Sequence, residues 1–443
     1  MTDRPEFEQR DADWLGVHEA LECILGRHAP LPAVAVPLGE ALGRTLAEAA
    51  IARARLPPWD NSAMDGYAVR SADLAGASET APVELEVIGV ARAGASELPE
   101  VGPGQACRIM TGAPLPPGAD GVTRVEYTDG ESGREGWVRI HSEGDAGRNV
   151  RPGGQDMERG DAVAPAGVRI DSGWTALLAA AGVDPVPVHR APEVLIVTGG
   201  DELRSLDAFH DVVEGRAIPD TNAPMLAAAV RAAGGRPRVT GPARDDAADL
   251  RRHLAQARDA DLVVTVGGAS MGEADLLKRT FEEDGLEVDF WRVRMRPGSP
   301  MAFGHLPRPG GGPPLPLLSL PGNPASAFVT FQLFGHPLVR HLSGDPRPHR
   351  PVIAARAGER LGSTPRLCHF HRVVIDPAAP HDPLPTVRLA GHAGSGLVHS
   401  LGPAAGLAVV PEGIAAIEQG ERVEVVLLRD TPGAHAPAFA DAR

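Results

Sequence analysis

The stretch DLVVTVGGASMGEADLLK, residues Asp261–Lys278, decides the fold of this chain. Leu262–Val266 is a short unbroken run of apolar, mostly β-branched residues. Such a run predicts a strand that is buried on both faces of a parallel sheet. Gly267 and Gly268 follow, and they allow the backbone to turn tightly with no side chain in the way of a bound group.

The second half of the stretch predicts the start of a helix. Ser270 and Glu273 form a capping-box pattern, so the helix is expected to begin there and to run through Lys278. A strand, a glycine turn and a helix N-terminus together present free backbone N–H groups and the positive end of a dipole, which indicates an anion site. Asp275 lies in the first turn, where it either complements the helix dipole or, beside a bound phosphate, requires a cation between the two charges.

Composition limits the classes of protein to which the chain can belong. A net charge of −15 argues against nucleic acid or an anionic membrane as a bulk partner. The three cysteines form no CxxC motif and indicate neither a disulfide framework nor a zinc knuckle. No apolar run approaches the roughly 20 residues that span a bilayer, and the charged first residues are unlike a signal peptide. We therefore expect a soluble, cytoplasmic protein.

Hydrophobic patterns along the chain predict several domains. Strand and helix alternate over residues 192–342, which predicts a parallel sheet with helices on both faces. β patterns fill residues 82–141 and return after residue 346, and helical patterns, one of them at residues 38–50, lie on both sides of the first β region. The predicted domains are a discontinuous helical N-terminal domain at residues 1–55 and 145–190, an inserted β domain at 56–144, an α/β domain at 191–343, a C-terminal barrel-like β domain at 344–430 and a disordered tail at 431–443.

Acidic residues follow three strands of the predicted parallel sheet. Because ligands gather at the carboxyl ends of parallel strands, we expect these acids to share one rim of the sheet. Helix N-capping is the alternative explanation, and it fits Asp245 or Asp246 better than Glu202. Carboxylates around an anion site indicate a bridging Mg²⁺ ion, whose ligands are typically oxygens. The acids concerned are Asp201, Glu202, Asp245, Asp246 and Asp275.

Two further segments carry polar side chains of interest. Arg292, Arg294 and Arg296 alternate, so they lie on one face if the segment is a strand, and they either bind oxyanions or form a solvated edge. His369 and His371 share one side of a predicted strand, a pattern more typical of a surface face than of a metal site.

The chain also resembles a known family, the molybdopterin molybdenumtransferases, which include the MoeA proteins and the E-domain of gephyrin. The resemblance covers essentially the whole chain in the family's order, and its DNSAMDGYA and LPGNPxSA motifs are highly specific. The shared stretches are DNSAMDGYAV at 60–69, RIMTGAP at 108–114, residues 118–120, NVRPGGQD at 149–156, GDEL at 200–203, DTN at 220–222, GGASMGEAD at 267–275, residues 297–304, LPGNPASA at 320–327 and GHAGSG at 391–396.

This resemblance implies four domains and an elongated homodimer. The active site would join the α/β domain of one subunit to the inserted β domain of the other. The implied reaction is Mg²⁺-dependent insertion of molybdate into adenylylated molybdopterin, which releases AMP and the molybdenum cofactor. The adenylyltransferase that makes this substrate and the molybdoenzymes that accept the product are the implied protein partners.

The resemblance also implies roles for individual residues. The catalytic positions are Asp65, Thr111, Glu202, Asp245 and Asp275, of which the last three would also bind the metal. The substrate-binding positions are Gly267, Gly268, Ser270, Gly272, Arg292, Arg296, Pro297, Ser299, Pro321, Gly322, Asn323 and Pro324. The family has lysines where this chain has Arg292, Arg296 and Ser299, so the positive charge is kept twice and lost once.

Two other functions compete with insertion. A non-catalytic pterin-binding or scaffolding paralogue is favoured by the lost charge at Ser299 and opposed by the intact acids Asp65, Glu202 and Asp275. An unrelated nucleotide-binding enzyme on the α/β domain leaves the DNSAMDGYA and LPGNPxSA loops unexplained. The sequence does not distinguish molybdate from tungstate as the substrate.

Overall fold

The computed structural model describes residues 14–94, 97–267, 283, 285–308, 312–378, 383–392 and 394–429. The chain divides into two compact units. The larger comprises the described residues of 1–34, 43–45 and 189–443, and the smaller comprises those of 35–42 and 46–188. No helix in the described part of the chain combines the length and the apolar character that a bilayer crossing requires.

A six-stranded mixed sheet forms the centre of the larger unit. Its strands, in spatial order, are Arg236–Ala243, Glu193–Gly199, Leu262–Val266, Leu315–Leu320, Ala302–Leu306 and Glu287–Phe290. The first four strands are parallel and the last two pair antiparallel. All five residues of the central strand are buried, so the prediction of a parallel sheet built around this strand is confirmed.

Both faces of the sheet carry apolar cores. Ile196 and Val264 point to one core, which includes Leu226 and Phe331. Leu195 and Val263 point to the opposite core, as the two-residue period of a strand requires. The helical segments of this unit are Val17–Gly26, His210–Val213, Asn222–Ala232, Ala247–Leu254, Pro324–Thr330 and His336–Leu342, with 3₁₀ turns at Leu206–Ala208 and Ala255–Asp259 and a π-helical turn at Phe331–Gly335.

The edge of this sheet differs from the sequence prediction. The sequence predicts a strand at residues 288–293, but the observed strand ends at Phe290, and Ala302–Leu306 forms an additional strand. The sequence predicts a surface loop at residues 305–316, but His305 and Leu315 are buried strand residues at its two ends. A connection this short joins two strands as a hairpin, which requires them to be antiparallel.

The C-terminal part of the larger unit is a closed β barrel. Cys368–Asp376 pairs with both Thr386–Leu389 and Gly406–Val410, which closes the ring. Val373, Val387 and Val425 belong to its buried core. The remaining strands are Val352–Ala357 and Arg422–Leu427 in the ring, Met295–Arg296 attached parallel to Cys368–Asp376, and the pair Leu361–Gly362 with Ala416–Ile417.

The smaller unit is built on a five-stranded sheet. Its strands, in spatial order, are Gly121–Arg124, Gly66–Val69, Gln105–Ile109, Val83–Ala91 and Trp137–Ile140. Ala50–Ile51 pairs with Ala162–Ala164, and Asn61–Ser62 pairs with Val150–Arg151. The helix Ser172–Ala180 starts at Asp171, whose carboxylate accepts the N–H of Trp174 at 3.0 Å.

One predicted helix in the N-terminal region is absent. Residues 38–50 contain a single 3₁₀ turn, Leu38–Glu40, instead of a helix. Gly43 interrupts the segment with a positive φ of 75°, and that left-handed conformation ends a helix. The other short strands are Ala33–Val36, Val186–His189, Leu203–Arg204 and Ile218–Pro219. The division of the N-terminal region at residues 56 and 144 into a helical and an inserted β domain stays a prediction.

Candidate active site

The turns that follow the four parallel strands lie against one another at one rim of the sheet. The N–H of Gly200 donates to the carbonyl of Ala243 at 3.0 Å. A Cβ atom added to Gly267 would lie 2.6 Å from the carbonyl oxygen of Gly199, and one added to Gly322 would lie 3.5 Å from the Cα of Gly267. Gly267 has a φ of 105°, so both its conformation and its surroundings require glycine.

Acidic side chains project from two of these turns. The N–H of Asp201 donates to Asp245 Oδ2 and the N–H of Asp245 donates to Asp201 Oδ1, each at 3.4 Å. A Cβ atom on Gly200 would lie 2.7 Å from Glu202 Oε2, so this carboxylate also faces the rim. Asp201, Glu202 and Asp245 are all exposed. The structure therefore brings Asp201 and Asp245 together and places Glu202 in the same turn as Asp201, with all three charges open to solvent.

The structure separates the two candidate helix caps. Asp246 is the N-cap of Ala247–Leu254, because its Oδ2 accepts the N–H of Asp249 at 3.0 Å. Asp245 has no such role, which leaves its carboxylate available at the rim. Helix capping therefore explains Asp246 and does not explain Asp245.

The rim acids match the chemistry of a hard cation. Carboxylate oxygens are the donors that Mg²⁺ prefers, and the rim turns offer neither the thiolate nor the imidazole typical of zinc. Within the described residues, no three His, Cys, Asp or Glu side chains are arranged to hold a metal ion by themselves. Asp275 lies outside the described residues, as do Gly268, Ser270 and Gly272.

Three buried polar residues support the rim: Thr198, Asp220 and Asn222. Thr198 Oγ1 donates to Asp220 Oδ2 at 2.7 Å, and the N–H of Ala223 donates to Asp220 Oδ1 at 3.0 Å. Asn222 Nδ2 donates to the carbonyl of Gly322 at 2.8 Å, while its Oδ1 is buried and has no hydrogen-bond partner among the described residues. A buried acceptor of this kind fits a ligand N–H. Asn222 was not among the predicted site residues, although it is the last residue of the DTN motif.

The turn after Leu315–Leu320 forms a second wall. Asn323 precedes the helix Pro324–Thr330, and Pro324 occupies its first position, where a missing N–H has no cost. The N–H of Ala325 donates to the carbonyl of Ser395 at 3.0 Å, and Asn323 Nδ2 donates to Ser395 Oγ at 3.4 Å. The turn Pro321–Pro324 is therefore tied to the loop at residues 391–396.

Arg372 holds this loop from the barrel. It is 6% exposed, and its Nε donates to Ser400 Oγ at 2.8 Å. Its Nη2 donates to the carbonyls of His392 and Gly394 at 3.4 and 3.3 Å. Burial lowers the pKa of Arg372. The sequence predicts neither Arg372 nor Ser395: the GHAGSG motif contains Ser395, whereas no motif marks Arg372.

The arginines of the 292–296 segment do not form the row expected of a strand. Arg292 stacks over the ring of Trp14, with 5.1 Å between its Cζ and the ring centroid. Arg294 donates to the carbonyl of Trp14 and to Glu412 Oε2. Arg296 is exposed and pairs in register with His369. The segment bends after Phe290, so Arg296 is the predicted oxyanion-binding arginine that remains open to solvent.

Ser299, where the resemblance implies a lysine, has a structural role. Its Oγ donates to the carbonyl of Val293 at 2.9 Å, which closes the turn that contains Pro297. The hydroxyl therefore stabilises the turn, but it supplies no charge to an anion.

The histidine pair is more buried than a surface face. His371 is 8% exposed and its Nε2 lies 2.9 Å from the carbonyl of Gly362. The two imidazole centroids are 4.1 Å apart. Burial, with His371 and Arg296 nearby, lowers the pKa of His369 to about 4. The pair is therefore neutral at pH 7, and the expectation of a surface face was wrong.

The smaller unit carries the other predicted catalytic pair. Asp65 precedes the strand Gly66–Val69, and Thr111 follows the strand Gln105–Ile109. Asp65 Oδ1 accepts the N–H of Thr111 at 2.7 Å and its hydroxyl at 2.9 Å. These two bonds, the backbone bond first, lower the pKa of Asp65. The sequence motifs DNSAMDGYAV and RIMTGAP thus meet to hold one exposed, ionised carboxylate.

Models of known families match nearly the whole chain. Residues 15–182 match the MoeA N-terminal region, described as domains I and II. Residues 195–341 match a probable molybdopterin binding domain. Residues 354–428 match the MoeA C-terminal region, described as domain IV.

Individual proteins give the same family. Molybdopterin molybdenumtransferase 2 of Mycobacterium tuberculosis is 36% identical over 398 residues, which cover 88% of this chain and 94% of that protein. Molybdopterin molybdenumtransferase of Bacillus subtilis is 34% identical over 408 residues, or 91% of both chains. The crystal structure of a molybdopterin biosynthesis MoeA protein from Pyrococcus horikoshii superposes with a TM-score of 0.77 at 31% identity, and it covers 94% of this chain and 100% of that one.

Proposed function

Since the chain belongs to the molybdopterin molybdenumtransferase family, we propose that it inserts molybdate into adenylylated molybdopterin and releases AMP and the molybdenum cofactor. One observation carries this proposal. Exposed carboxylates and a bare glycine turn meet at one rim of a parallel sheet, beside a rigid proline turn. Such a rim combines groups that bind a cation with backbone groups that bind phosphate.

The substrate would lie along the glycine turn and the proline turn. Gly267 leaves its backbone uncovered, and Gly268, Ser270 and Gly272 would continue the phosphate site at the helix start. Pro321, Gly322, Asn323 and Pro324 would form the wall beside the pterin. The buried acceptor Asn222 Oδ1 supports this placement, because a pterin carries several N–H donors that require acceptors.

The acids would hold Mg²⁺ near the phosphates. Glu202, Asp245 and Asp275 are the proposed metal ligands, and their oxygen donors suit this ion. Bound Mg²⁺ would neutralise charge on the phosphate oxygens. The negative charges of these carboxylates repel free anions from the rim. A phosphate that arrives with bound Mg²⁺ is therefore favoured.

The molybdate would approach the exposed cations. Arg296 is open to solvent, and its planar guanidinium suits an oxyanion. Arg292 is packed on Trp14, so its proposed contribution is to hold the turn that contains Pro297 and Ser299. Arg372 and Ser395 would fix the loop that borders this entry.

A homodimer is part of the proposal. The inserted β domain of one subunit would bring Asp65 and Thr111 to the α/β domain of the other. Light scattering at micromolar concentration should give twice the 46.2 kDa of the chain, and a fully active monomer would contradict the shared site. We also propose a cytoplasmic location, with the adenylyltransferase that makes the substrate and acceptor molybdoenzymes as protein partners.

Complementation tests the proposed function in cells. The chain is expressed in a bacterial strain that lacks its insertase, and nitrate reductase activity is measured. We expect the parent to restore activity and Asp245→Ala to fail at equal protein level, with Asp246→Ala as the control that retains activity. No restoration by well-expressed parent protein would favour a non-catalytic pterin-binding paralogue.

A further inference from the structure

A cavity of about 550 Å³ lies in the smaller unit, and its residues are absent from the proposed reaction. It opens between two chain segments, residues 46–53 and 181–188. The N–H of Ala47 donates to the carbonyl of Pro187 at 3.0 Å at one end, and the N–H of Arg53 donates to the carbonyl of Ala181 at 2.9 Å at the other. Between these two anchor points the segments separate, and the cavity occupies the gap.

The sequence explains why the segments separate. Pro185 and Pro187 lie on one side of the gap, and proline has no N–H to donate across it. On the other side, Ala50–Ile51 already pairs with Ala162–Ala164 through its far edge. A third wall comes from Arg159 and Gly160, since the N–H of Gly160 donates to the carbonyl of Ala52 at 2.9 Å.

Apolar side chains form part of the cavity wall. Ile51, Val183, Pro185 and Pro187 line it, with alanines between them. Ile51 is 45% exposed, which leaves part of its side chain free to contact a ligand. An apolar ring placed here would remove this surface from water.

Two arginines, Arg53 and Arg159, also line the cavity. Arg53 donates one N–H to the carbonyl of Asp184 at 3.0 Å, and a guanidinium has five donors. Neither Arg53 nor Arg159 forms an ion pair with a described acid. Of the carboxylates beside them in the chain, Asp184 accepts the N–H of Leu38 at 3.1 Å and Asp161 accepts the N–H of Glu158 at 2.8 Å. Arg53 and Arg159 therefore bring to the wall of the cavity two positive charges without ion-pair partners in the described part of the chain.

We infer that this cavity binds a small organic anion that has a flat apolar body, such as an aryl phosphate or aryl carboxylate. Its ring would lie between Ile51 and the two prolines, and its anionic group would accept hydrogen bonds from Arg53 and Arg159. The volume is in the range of small-molecule sites, about 300–1,000 Å³. The inference is independent of the insertion reaction, and its failure would leave that proposal intact.

Titration calorimetry with phenyl phosphate on the full-length protein tests the inference. We expect saturable binding to the parent and at least about tenfold weaker binding to Arg53→Gln and to Arg159→Gln, because each loses charged hydrogen bonds. Arg55→Gln is the matched control, since Arg55 is exposed, lies close to Arg53 in the chain and does not line the cavity. It should bind like the parent.

Two further ligands and one further variant test the contributions of the ring and of the charge separately. Phenol and inorganic phosphate should each bind at least about tenfold more weakly than phenyl phosphate, because each keeps only one of the two groups. Ala49→Phe places a ring in the cavity from an exposed position and should abolish binding. The inference is overturned if the parent does not bind phenyl phosphate, if Ala49→Phe keeps the parent's affinity, or if inorganic phosphate binds as tightly as the aryl ester.

Discussion

Asp245 and Asp246 are adjacent acids whose replacement by alanine should have opposite effects. Asp246 Oδ2 accepts the N–H of Asp249 at 3.0 Å and caps the helix Ala247–Leu254. Loss of an N-cap of this kind costs about 1 kcal/mol of stability. In a domain of about 150 residues, this corresponds to a fall in melting temperature of about 2–4 °C.

Replacement of Asp245 should instead lower activity and leave stability nearly unchanged. Its contacts with Asp201 are 3.4 Å long, beyond the usual range of about 2.7–3.2 Å, so little stability depends on them. We expect Asp245→Ala to change the free energy of unfolding by less than about 0.5 kcal/mol. If its carboxylate holds the cation at the substrate, the rate of insertion should fall at least about tenfold, which is about 1.4 kcal/mol in the barrier.

Both variants are measured by thermal unfolding and by insertion from purified adenylylated molybdopterin. The parent and Asp246→Ala should insert at similar rates below the melting transition. Equal losses of activity in the two variants, or an unchanged rate in Asp245→Ala, would refute the assignment of Asp245 to the site.

Three other changes have defined outcomes. Thr111→Val keeps the backbone N–H on Asp65 but removes the hydroxyl. Because that hydroxyl lowers the pKa of Asp65, the acid limb of the pH–rate profile should move to higher pH. An unmoved limb would exclude Asp65 from the reaction. Ser299→Lys should lower the molybdate concentration needed for half-maximal insertion several-fold. It should also lower the free energy of unfolding by about 1 kcal/mol, because the hydrogen bond to Val293 is lost. An unchanged molybdate requirement would mean that Arg296 already supplies the charge. Burial lowers the pKa of His28 from 6.5 to about 4, so its contribution to stability is complete above pH 6.5 and is lost as the pH falls toward 4. In urea unfolding, the free energy of unfolding of His28→Phe should therefore fall less steeply with pH over this range than that of the parent. An identical pH dependence in the two proteins would contradict the assignment.

Local patterns with one strong physical cause were predictable from the sequence. Leu262–Val266 had to be a doubly buried strand because it is apolar and β-branched without alternation. The acids that follow parallel strands had to share a rim, and Asp201 and Asp245 do contact each other. The motifs around Asp65 and Thr111 gave the residues, but their hydrogen bond depends on pairing between distant strands.

The remaining features depend on tertiary contacts that no local pattern contains. Residues 38–50 have a helical pattern, but Gly43 takes a left-handed conformation and the strand pairing of Ala50 overrides the propensity. Arg292 and Arg296 look equivalent in sequence, yet Trp14 covers only the first. Arg372 was missed because its role follows from burial against a loop about 20 residues away in the chain.

We propose that the chain transfers molybdenum to molybdopterin as it releases AMP, and one assay measures both products. Purified protein is mixed with adenylylated molybdopterin, molybdate and Mg²⁺, and AMP and molybdenum cofactor are measured in the same sample. We predict that both products appear in equal amounts and that both disappear when Mg²⁺ is chelated. Tight binding of the pterin with neither AMP nor cofactor formed would contradict the proposed transfer.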